Sequence, residues 1–560
     1  MITDPGVQET EAGTQRWFGR ILSRSVCPLV SALWLLTSGC GHHEPPADIT
    51  IINGAEPESL DPAIITAQAD GRIVSGLFEG LTRPDPKTAR PTPGLAERWE
   101  ISPDGRTYVF HLRTNLLWST GEPIRADDVV YSWIRVLDPA TASDYAGQLY
   151  YLTNAEAFNV GKIKDPSLVG VHAVDPFTVR VELKSPTAFF LDLCGFQTLA
   201  IVPRQTIEKY GDRWLKARPL PVSGPYELAY WHINDKIRLV RNSNHWDAAH
   251  TQSSIIDILP VGSPNAALNF YERGQADIVW DKELIPSQLV DVLVKRPDFH
   301  SFSYLGTYFI RFNITRKPFD DPRVRKALAL AIDRDQIVKK ITRAGERPAF
   351  HLVPDDTADY LPGEGLPYDP AQARKLLAEA GYPDGKGFPP FEYLFNASSG
   401  GDKIHENVAI ELQQMWRDQL GIPMTLRQIE TKAFWGVQSH LQYTLSRSSW
   451  IGDYNDPNTF LGMFTTTDGN NRTGWSDPKY DALIGEANNE ADPDKRARIF
   501  QRAETMLIRD EAPIIPLYFY VGINYFDTNR IQGIYENVVD VHPLQAIKRV
   551  QGSKPGMTDH

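Results

Sequence analysis

The feature that most constrains this chain is a single apolar run near its start, with basic residues before it and small residues after it. Three arginines lie within residues 16–24, the apolar run covers residues 26–36, and Cys40 follows directly after Ser-Gly. This basic, apolar, small order is that of a secretory signal. The run is too short to cross a bilayer, which needs about 20 residues. We therefore predict that residues 1–39 are an export signal.

The cysteine that follows the signal resembles that of a bacterial lipobox. The resemblance implies cleavage before Cys40 and lipid on its thiol and new amino group, although Thr37 stands where leucine is usual. The alternative is ordinary export, in which Cys40 has no role. In either case we expect residues 40–48 to be a tether and folded structure to begin near Ile49. The pair His42-His43 falls in this tether, so we expect no metal site there.

Composition excludes several classes of protein. The chain has 560 residues, 42% of them hydrophobic, which is enough for more than one domain. Its formal net charge of −12 argues against nucleic acid as a partner, because phosphate backbones attract basic surfaces. There are only 3 cysteines, without a CxxC pair or a zinc-ligand pattern. Of these, Cys194 is expected to be a buried, inert thiol.

Strand-like and helix-like stretches alternate irregularly along the chain. Residues 106–112 and 178–183 alternate with period two, as strands do. A helix is predicted to open at Asp321-Pro322, another runs from His405 to a stop at Gly421, and a third covers 499–507. The aromatic stretch 514–525 contains Pro516, Gly522 and Asn524 and is predicted to be a buried strand rather than a membrane span. This mixture predicts α/β or α+β lobes.

Several longer motifs occur in a characteristic order after residue 49. They are ESLDP (58–62), GLFEGL (76–81), WSTGEP (118–123), ADDVVYSW (126–133), PFDDPRVRKAL (318–328), DRD (333–335) and WIGDYNDP (450–457). In these motifs the chain resembles the oligopeptide-binding proteins of ABC importers, the peptide/nickel class of periplasmic solute-binding proteins. The oligopeptide- and murein-peptide-binding members are the most similar.

The resemblance implies an α/β, two-lobed periplasmic-binding-protein fold of the cluster C type, with a small domain inserted in the first lobe. The implied limits are 49–78 for the start of lobe I, 79–204 for the inserted domain, 205–305 for the rest of lobe I, 306–520 for lobe II and 521–560 for the return to lobe I.

The resemblance also implies how a ligand is held. A receptor that accepts many peptide sequences must bind the constant parts of a peptide, which are its main chain and its charged ends. One partner strand is expected at 447–451 and includes Ser449, Trp450 and Ile451. The other is expected around Thr66, Ala67 and Gln68.

Three charged residues match family positions that hold the peptide ends. Asp453 corresponds to the aspartate that pairs with the α-amino group; the alternative is a loop aspartate that bonds its own backbone. Arg447 and His405 correspond to residues on the carboxylate side. Their alternatives are a surface salt bridge for Arg447 and a helix-capping or exposed histidine for His405.

Aromatic residues and two departures from the family pattern bear on the side-chain pockets. Tyr145 and Trp450 match residues that line the cleft, with core packing as the alternative. Thr431 stands where the family has a tryptophan, and Ile451 replaces a cysteine. Neither change affects pairing with the peptide main chain, but both alter the size and polarity of the side-chain pockets. The sequence therefore does not define the preferred length and side chains of the peptide.

The predicted function is a non-catalytic receptor of the cell envelope, without a cofactor or a metal, since no GxSxG, HExxH or Walker motif occurs. Its expected partners are an oligopeptide, the membrane domains of an ABC importer and, through a lipid anchor, the membrane. We expect a periplasmic monomer. The alternatives are the same fold with a nickel chelate, sugar or murein peptide, a sensor or adaptor lipoprotein, and a peptide hydrolase.

Overall fold

The computed structural model describes residues 44–397 and 403–550. The predicted export signal, the lipidation candidate Cys40 and His42-His43 lie outside the described residues. The elements below all belong to one unit that begins at Ala47. Its first strand starts at Ile49, as the sequence predicts.

Nineteen strands are present in the described residues. They are β1 Ile49–Ile52, β2 Thr82–Pro84, β3 Pro91–Pro93, β4 Ala96–Ile101, β5 Thr107–Leu112, β6 Val171–Asp175, β7 Thr178–Glu182, β8 Tyr226–His232, β9 Lys236–Arg241, β10 Ile255–Leu259, β11 Ile278–Trp280, β12 Phe299–Phe312, β13 Arg347–Pro348, β14 Phe391–Asn396, β15 Met424–Ile429, β16 Leu445–Ile451, β17 Ile514–Tyr525, β18 Ile531–Gln532 and β19 Lys548–Arg549.

Fifteen α-helices accompany them in the same part of the chain. They are α1 Gln68–Leu77, α2 Ala126–Leu137, α3 Ala155–Asn159, α4 Phe190–Leu193, α5 Arg204–Tyr210, α6 Pro264–Glu272, α7 Val290–Leu293, α8 Pro322–Leu330, α9 Arg334–Ile337, α10 Pro370–Glu379, α11 Ile404–Leu420, α12 Thr431–Ser439, α13 Asn458–Leu461, α14 Pro478–Asn489 and α15 Pro493–Thr505. The predicted mixture of helices and strands is confirmed.

One sheet of 11 strands runs through the molecule in the order β15-β14-β16-β12-β17-β11-β1-β10-β9-β8, with β13 paired to β17 at its side. We call the part around β1 and β8–β11 lobe I and the part around β14–β16 lobe II. Strand β1 pairs in parallel with β10 and β11, and its apolar side chains are buried on both faces, as parallel strands require. Each lobe packs its helices against its own part of the sheet.

The two longest strands, β12 and β17, join the lobes. They pair with each other antiparallel from Phe299↔Tyr525 to Arg311↔Ile514. At one end β17 pairs with β11 of lobe I, and at the other end β12 pairs with β16 of lobe II. The register between them shifts after Ser303 and again after Tyr308. The aromatic stretch 514–525 is therefore a buried strand, as predicted.

A smaller sheet, β4-β5-β7-β6, forms with α2 a separate core, which we call the small domain. Trp133 of α2 is fully buried in this core and donates its indole N–H to the carbonyl of Leu199 at 2.9 Å. Asp61, from the first motif of the chain, accepts two hydrogen bonds from the guanidinium of Arg135, at 2.9 and 2.6 Å. This buried ion pair ties the small domain to lobe I.

The predicted helices of lobe II are confirmed, as are the start of α8 and the end of α11, whereas α15 begins earlier than expected, at Pro493. The carboxylate of Asp321 accepts a hydrogen bond from the N–H of Arg323 at 2.8 Å, which caps α8. Helix α11 ends at Gly421, whose φ of 69° is the left-handed conformation that glycine adopts without strain. Helix α15 ends at Thr505, and a π-helical turn continues from Met506, whose side chain is only half-buried.

The N-terminal segment that is expected to pair with a peptide has no strand partner of its own. Thr66 and Ala67 do not form a strand, and Gln68 is already the first residue of α1. Ala67 is extended, with φ −81° and ψ 140°, but it has no neighbouring strand among the described elements. An extended segment becomes a strand only when another strand pairs with it.

The remaining expectations concern a cysteine and the membrane. Cys194 is fully buried, and burial raises the pKa of its thiol well above the ordinary value, in agreement with an inert thiol. From residue 44 to 397 and from 403 to 550, no helix combines the length and the apolar character needed to span a membrane.

Candidate functional site

A cleft of about 730 Å³ lies where lobe I, the small domain, lobe II and the joining strands meet. Segments from each of these parts line it. They are 54–55 and 66–75 of lobe I, 82–91 and 191–197 next to the small domain, Tyr304 and 521–523 of the joining strands, 451–455 of lobe II and 539–542 near the end of the described chain.

Six of the predicted binding residues line this cleft together: Thr66, Ala67, Gln68, Tyr145, Ile451 and Asp453. The other four, His405, Arg447, Ser449 and Trp450, do not line it. The hydroxyl of Tyr304, a residue of β12, donates a hydrogen bond to the side-chain oxygen of Gln68 at 3.0 Å. The segment before α1 is thus held against the strand that joins the lobes.

Asp453 occupies the lobe II wall of the cleft and reaches the small domain. Its carboxylate accepts hydrogen bonds from the amide of Gln148 at 3.0 Å and from the hydroxyl of Tyr145 at 3.5 Å. Its backbone N–H donates to the hydroxyl of Thr459 at 3.2 Å. The carboxylate partners therefore come from across the cleft and not from its own turn.

The charge of Asp453 has no counterpart in the described residues. No lysine, arginine or histidine nitrogen there lies within 4 Å of its carboxylate. Burial raises the pKa of Asp453 to about 6, although the hydrogen bonds from Gln148 and Tyr145 act in the opposite direction. A buried carboxylate without a cation is costly, and a ligand cation would relieve that cost.

The residues that follow Asp453 have structural partners. The ring of Tyr454 stacks on that of Phe189, with centroids 4.0 Å apart, and belongs to the core of the small domain. Asp456 is buried and accepts two hydrogen bonds from Arg496, at 2.6 and 2.8 Å. Of the acidic residues in the 450–457 motif, Asp453 is thus the one that faces the cleft.

Strand β16 has an open edge next to the cleft. It pairs with β12 from Leu445 to Ile451, but β14 reaches it only at Leu445 and Ser446. The N–H of Gly452 donates to the carbonyl of Leu305 at 2.7 Å. In an antiparallel pair, residues that bond to the partner strand alternate with residues whose backbone groups face away from it. This bond therefore shows which residues of β16 face β12. The backbone groups of Arg447, Ser449 and Ile451 consequently point away from β12.

Most of these edge groups lack a partner within the described chain. The carbonyl of Arg447 accepts hydrogen bonds from Gln438 at 3.1 Å and from the hydroxyl of Ser446 at 3.0 Å. For the N–H and C=O of Ser449 and Ile451, the described residues supply no strand. Unpaired strand edges accept added strands, and here the edge ends next to the half-buried carboxylate of Asp453.

Arg447 lies at the other end of this edge, in an aromatic surrounding. It is 7% exposed, and its guanidinium lies 5.4 Å from the ring centroid of Tyr308. No carboxylate of the described residues lies within 4 Å of it, so the alternative of a surface salt bridge is wrong. A buried guanidinium in this setting is a candidate for a ligand carboxylate.

His405 and Trp450 contact core residues. The ring centroid of His405 lies 5.6 Å from that of Tyr308, so His405 and Arg447 share this aromatic neighbour. His405 is the second residue of α11 and is half-buried. Trp450 packs against the lobe II core, and its indole N–H donates to the hydroxyl of Thr459 at 3.4 Å. This placement is the core-packing alternative for Trp450.

Sequence reasoning missed two polar residues of the cleft region. Gln148 donates to Asp453, and Asp192 lines the cleft from α4 of the small domain. Nothing in the sequence around either residue distinguishes it from a surface residue. Among the described residues there is no cluster of three or more histidine, cysteine or acidic side chains that could hold a metal ion.

Comparison with known proteins gives consistent results. Residues 90–472 match the bacterial extracellular solute-binding proteins, family 5, middle region. A periplasmic oligopeptide-binding protein of Salmonella typhimurium is 36% identical over 480 residues, which cover 84% of this chain and 86% of that protein. A probable deoxycholate-binding periplasmic protein of Escherichia coli is 34% identical over 478 residues, with coverages of 83% and 87%.

Solved structures agree with this family. The crystal structure of a periplasmic oligopeptide-binding protein from Borrelia burgdorferi superimposes with a TM-score of 0.78. The two sequences are 33% identical, and the match covers 90% of this chain and all of that one.

Proposed function

Because the chain belongs to the family 5 bacterial extracellular solute-binding proteins, with their two-lobed fold, we propose that it captures oligopeptides in extended form and delivers them to an ABC importer. The observation that carries the proposal is Asp453, a half-buried carboxylate without a cation in the described chain, beside the open edge of β16. A peptide supplies both missing partners, since it has an ammonium group at one end and a main chain that pairs as a strand.

The two charged residues match the two ends of such a ligand. In this proposal Asp453 binds the α-amino group and Arg447 binds the carboxylate, with His405 beside it. The peptide would run antiparallel to β16 and pair with the N–H and C=O groups of Ser449 and Ile451. Residues 447–451 span about 13 Å at about 3.3 Å per residue, which is the length of a short peptide.

The other walls would house the rest of the ligand. Thr66, Ala67 and Gln68 line the cleft together with Ile451 of β16, and the extended segment before α1 would become a strand only when a peptide pairs with it. Tyr145 closes the amine end of the cleft through its contact with Asp453. Ile451 lines the same end and limits the space for the first residues of the peptide.

A calorimetric titration tests this function with three probes: Ala-Ala-Ala, its N-acetylated form and its C-terminal amide. We expect the free tripeptide to bind tightly and both blocked forms to bind at least about tenfold more weakly, because each loses one ion pair. Native mass spectrometry of freshly purified protein adds an independent check, in which a retained peptide supports the proposal. Absence of binding for every peptide tested, from dipeptides to hexapeptides, would contradict it.

A second candidate is a bile-acid type of ligand, because one relative is described as a probable deoxycholate-binding protein. Such a ligand is an anion with a large apolar body. It would fit Arg447, but its carboxylate would leave the charge of Asp453 without a partner. Titration with deoxycholate separates the two candidates: binding that survives Asp453→Ala favours the bile acid.

The relatives are solute-binding proteins, and we propose that this chain likewise has no catalytic activity. Incubation with peptides and mass spectrometry of the products tests this, since a hydrolase would release fragments. We also propose that the protein acts in the periplasm as a lipid-anchored monomer with the domain limits given above. Labelling with palmitate, with Cys40→Ser as the control, tests the anchor.

A further inference from the structure

The cleft contains a second carboxylate without a cation. Asp192 lies in the short helix α4 and lines the cleft on the small-domain side. No basic nitrogen of the described residues lies within 4 Å of its carboxylate. Burial raises the pKa of Asp192 to about 7, with a further contribution from the charge of Asp456, while its own backbone and Arg90 act weakly in the opposite direction.

Other charged residues of the cleft are already paired. Asp540 accepts a hydrogen bond from His542 at 3.0 Å, and its second oxygen lies 3.6 Å from the guanidinium of Arg72. Arg83 binds Asp247 at 2.7 Å. These pairs leave Asp192 and Asp453 as carboxylates that a ligand would have to neutralise.

On the lobe I wall, a further acid has a structural role. The carboxylate of Asp281 accepts a hydrogen bond from the N–H of Glu283 at 2.8 Å, which caps a short helical turn. Asp281 is therefore held to the backbone of its own segment, whereas the structure assigns no such bond to the side chain of Asp192 from another residue.

Residues on both sides of Asp192 in the chain contact the amine end of the proposed site. Phe189, three residues before Asp192, stacks on Tyr454, the residue after Asp453. The ring of Phe196 lies 5.7 Å from the ring of Tyr145, whose hydroxyl contacts Asp453. The segment that carries Asp192 thus forms part of the end of the cleft where the first residue of a peptide would lie.

The wall around Asp192 is apolar. Leu191, Phe196, Pro84 and Pro91 line the same side of the cleft. Lysine and arginine side chains combine methylene stems with a terminal cation, so a surface that is apolar along its length and ends in a carboxylate suits them. A bare metal ion would not use such a wall.

Resting on the proposed function, we infer that Asp192 is a specificity residue that favours peptides whose first residue has a basic side chain. The α-amino group of such a peptide neutralises Asp453, and its side-chain cation neutralises Asp192. A peptide with a neutral first residue leaves the half-buried Asp192 without a cation.

The test compares Lys-Ala-Ala with norleucyl-Ala-Ala, which has a similar stem and no side-chain charge. We expect Lys-Ala-Ala to bind the wild-type protein about tenfold more tightly or better, as a hydrogen bond between charged groups predicts. In Asp192→Asn this preference should fall to about twofold or less, because an amide supports only a neutral hydrogen bond. The exposed carboxylate Asp212 lies outside the cleft, and Asp212→Asn should keep the wild-type preference.

The outcomes separate this inference from the proposed function. Equal affinity of the wild-type protein for both probes, or a preference that persists in Asp192→Asn, overturns the role of Asp192 while leaving the peptide function intact. Failure of the wild-type protein to bind these probes and Ala-Ala-Ala overturns both. Equal affinity of the wild-type protein for both probes would overturn the inference without any variant, so the inference can be refuted even if Asp192→Asn does not fold.

Discussion

The ring of Phe189 lies parallel to the ring of Tyr454, with centroids 4.0 Å apart and an angle of 6° between the planes. Phe189 belongs to the small domain and Tyr454 to lobe II, so this stack joins the two parts next to Asp453. The hydroxyls of Tyr151 and Tyr454 lie 3.3 Å apart and add a polar contact between the same parts.

Removing the stack should weaken the closed form. In Phe189→Leu we expect the closed form to lose about 0.5–1.5 kcal/mol of stabilisation, which is the usual contribution of an aromatic pair beyond that of its buried area. Peptide affinity should fall about two- to tenfold, and small-angle scattering should show a larger radius of gyration. Tyr151→Phe removes only the hydroxyl contact and should have a smaller effect. Unchanged affinity and radius in Phe189→Leu would exclude a role in closure.

Asp453→Asn should weaken peptide binding most. The variant removes the charge that the α-amino group needs, and breaking a buried ion pair costs about 3–5 kcal/mol, or about 10²- to 4 × 10³-fold in affinity. Titration calorimetry with Ala-Ala-Ala measures the loss, with Asp212→Asn as the control. N-acetylation of the peptide and Asp453→Asn should not be additive, because both remove the same pair. Additive losses would place the amine elsewhere.

The raised pKa of Asp453 predicts a dependence on pH. In the ligand-free protein this pKa is about 6, above the ordinary value of 3.8. Between about pH 4 and 6 the folded chain therefore binds more protons than the unfolded chain, so its stability falls as the pH rises through this window. Asp70, whose pKa burial also raises to about 6, acts in the same direction. Thermal unfolding of the wild-type protein and of Asp453→Asn isolates the part due to Asp453.

The affinity for a peptide should depend on pH in the direction opposite to that of the stability. An α-amino group binds the ionised carboxylate, so affinity should fall as the pH drops below about 6. Calorimetry at pH 5 and pH 7.5 measures the difference, and Asp453→Asn should show a much smaller one. An affinity that rises on acidification would argue against the amine anchor.

Arg447→Met separates the two ends of the ligand. We expect the variant to bind Ala-Ala-Ala more weakly by about 2–5 kcal/mol, the usual loss when one partner of a buried charge pair is removed. The C-terminal amide lacks the carboxylate, so its affinity should change little. The ligand-free variant should be at least as stable as the wild-type protein in urea unfolding, because a buried guanidinium without an acidic partner is removed.

Glu504→Gln is expected to affect stability rather than binding. The buried carboxylate of Glu504 accepts hydrogen bonds from the N–H groups of Leu352, Val353 and Gly363, each at 2.9 Å, and from the hydroxyl of Tyr360. The amide of glutamine would turn its NH₂ group toward some of these N–H donors, which would then have no acceptor. We expect the free energy of unfolding to fall by about 1–3 kcal/mol as a result. Urea unfolding measures the loss, and an unchanged midpoint would contradict this role.

Local features could be predicted from the sequence, because the residues that define them are neighbours in the chain. Helix α11 and its stop at Gly421 follow from apolar spacing and the conformational freedom of glycine. The strands at 107–112 and 178–182 follow from period-two alternation. The family motif also located Asp453 in the cleft, although its role with a peptide stays a prediction.

Features that depend on distant parts of the chain could not be predicted in this way. Gln148 reaches Asp453 only because the small domain folds against lobe II. The pairing of β12 with β17, with its two register shifts, joins segments about two hundred residues apart. Thr66 and Ala67 were expected to be a strand from the family, but strand formation there needs a partner that comes from outside the chain.

The irregular pairing of β12 with β17 has a mechanical consequence. A continuous antiparallel ladder resists sliding, because every hydrogen bond along it would break together. Here the ladder is interrupted between Ser303 and Thr307, midway between the parts that belong to each lobe. Bending can concentrate at this interruption, where few backbone bonds are lost, so the lobes can rotate while their own sheets stay rigid. We therefore expect the free energy needed to open or close the cleft to be small compared with the free energy that two ion pairs with a ligand would contribute.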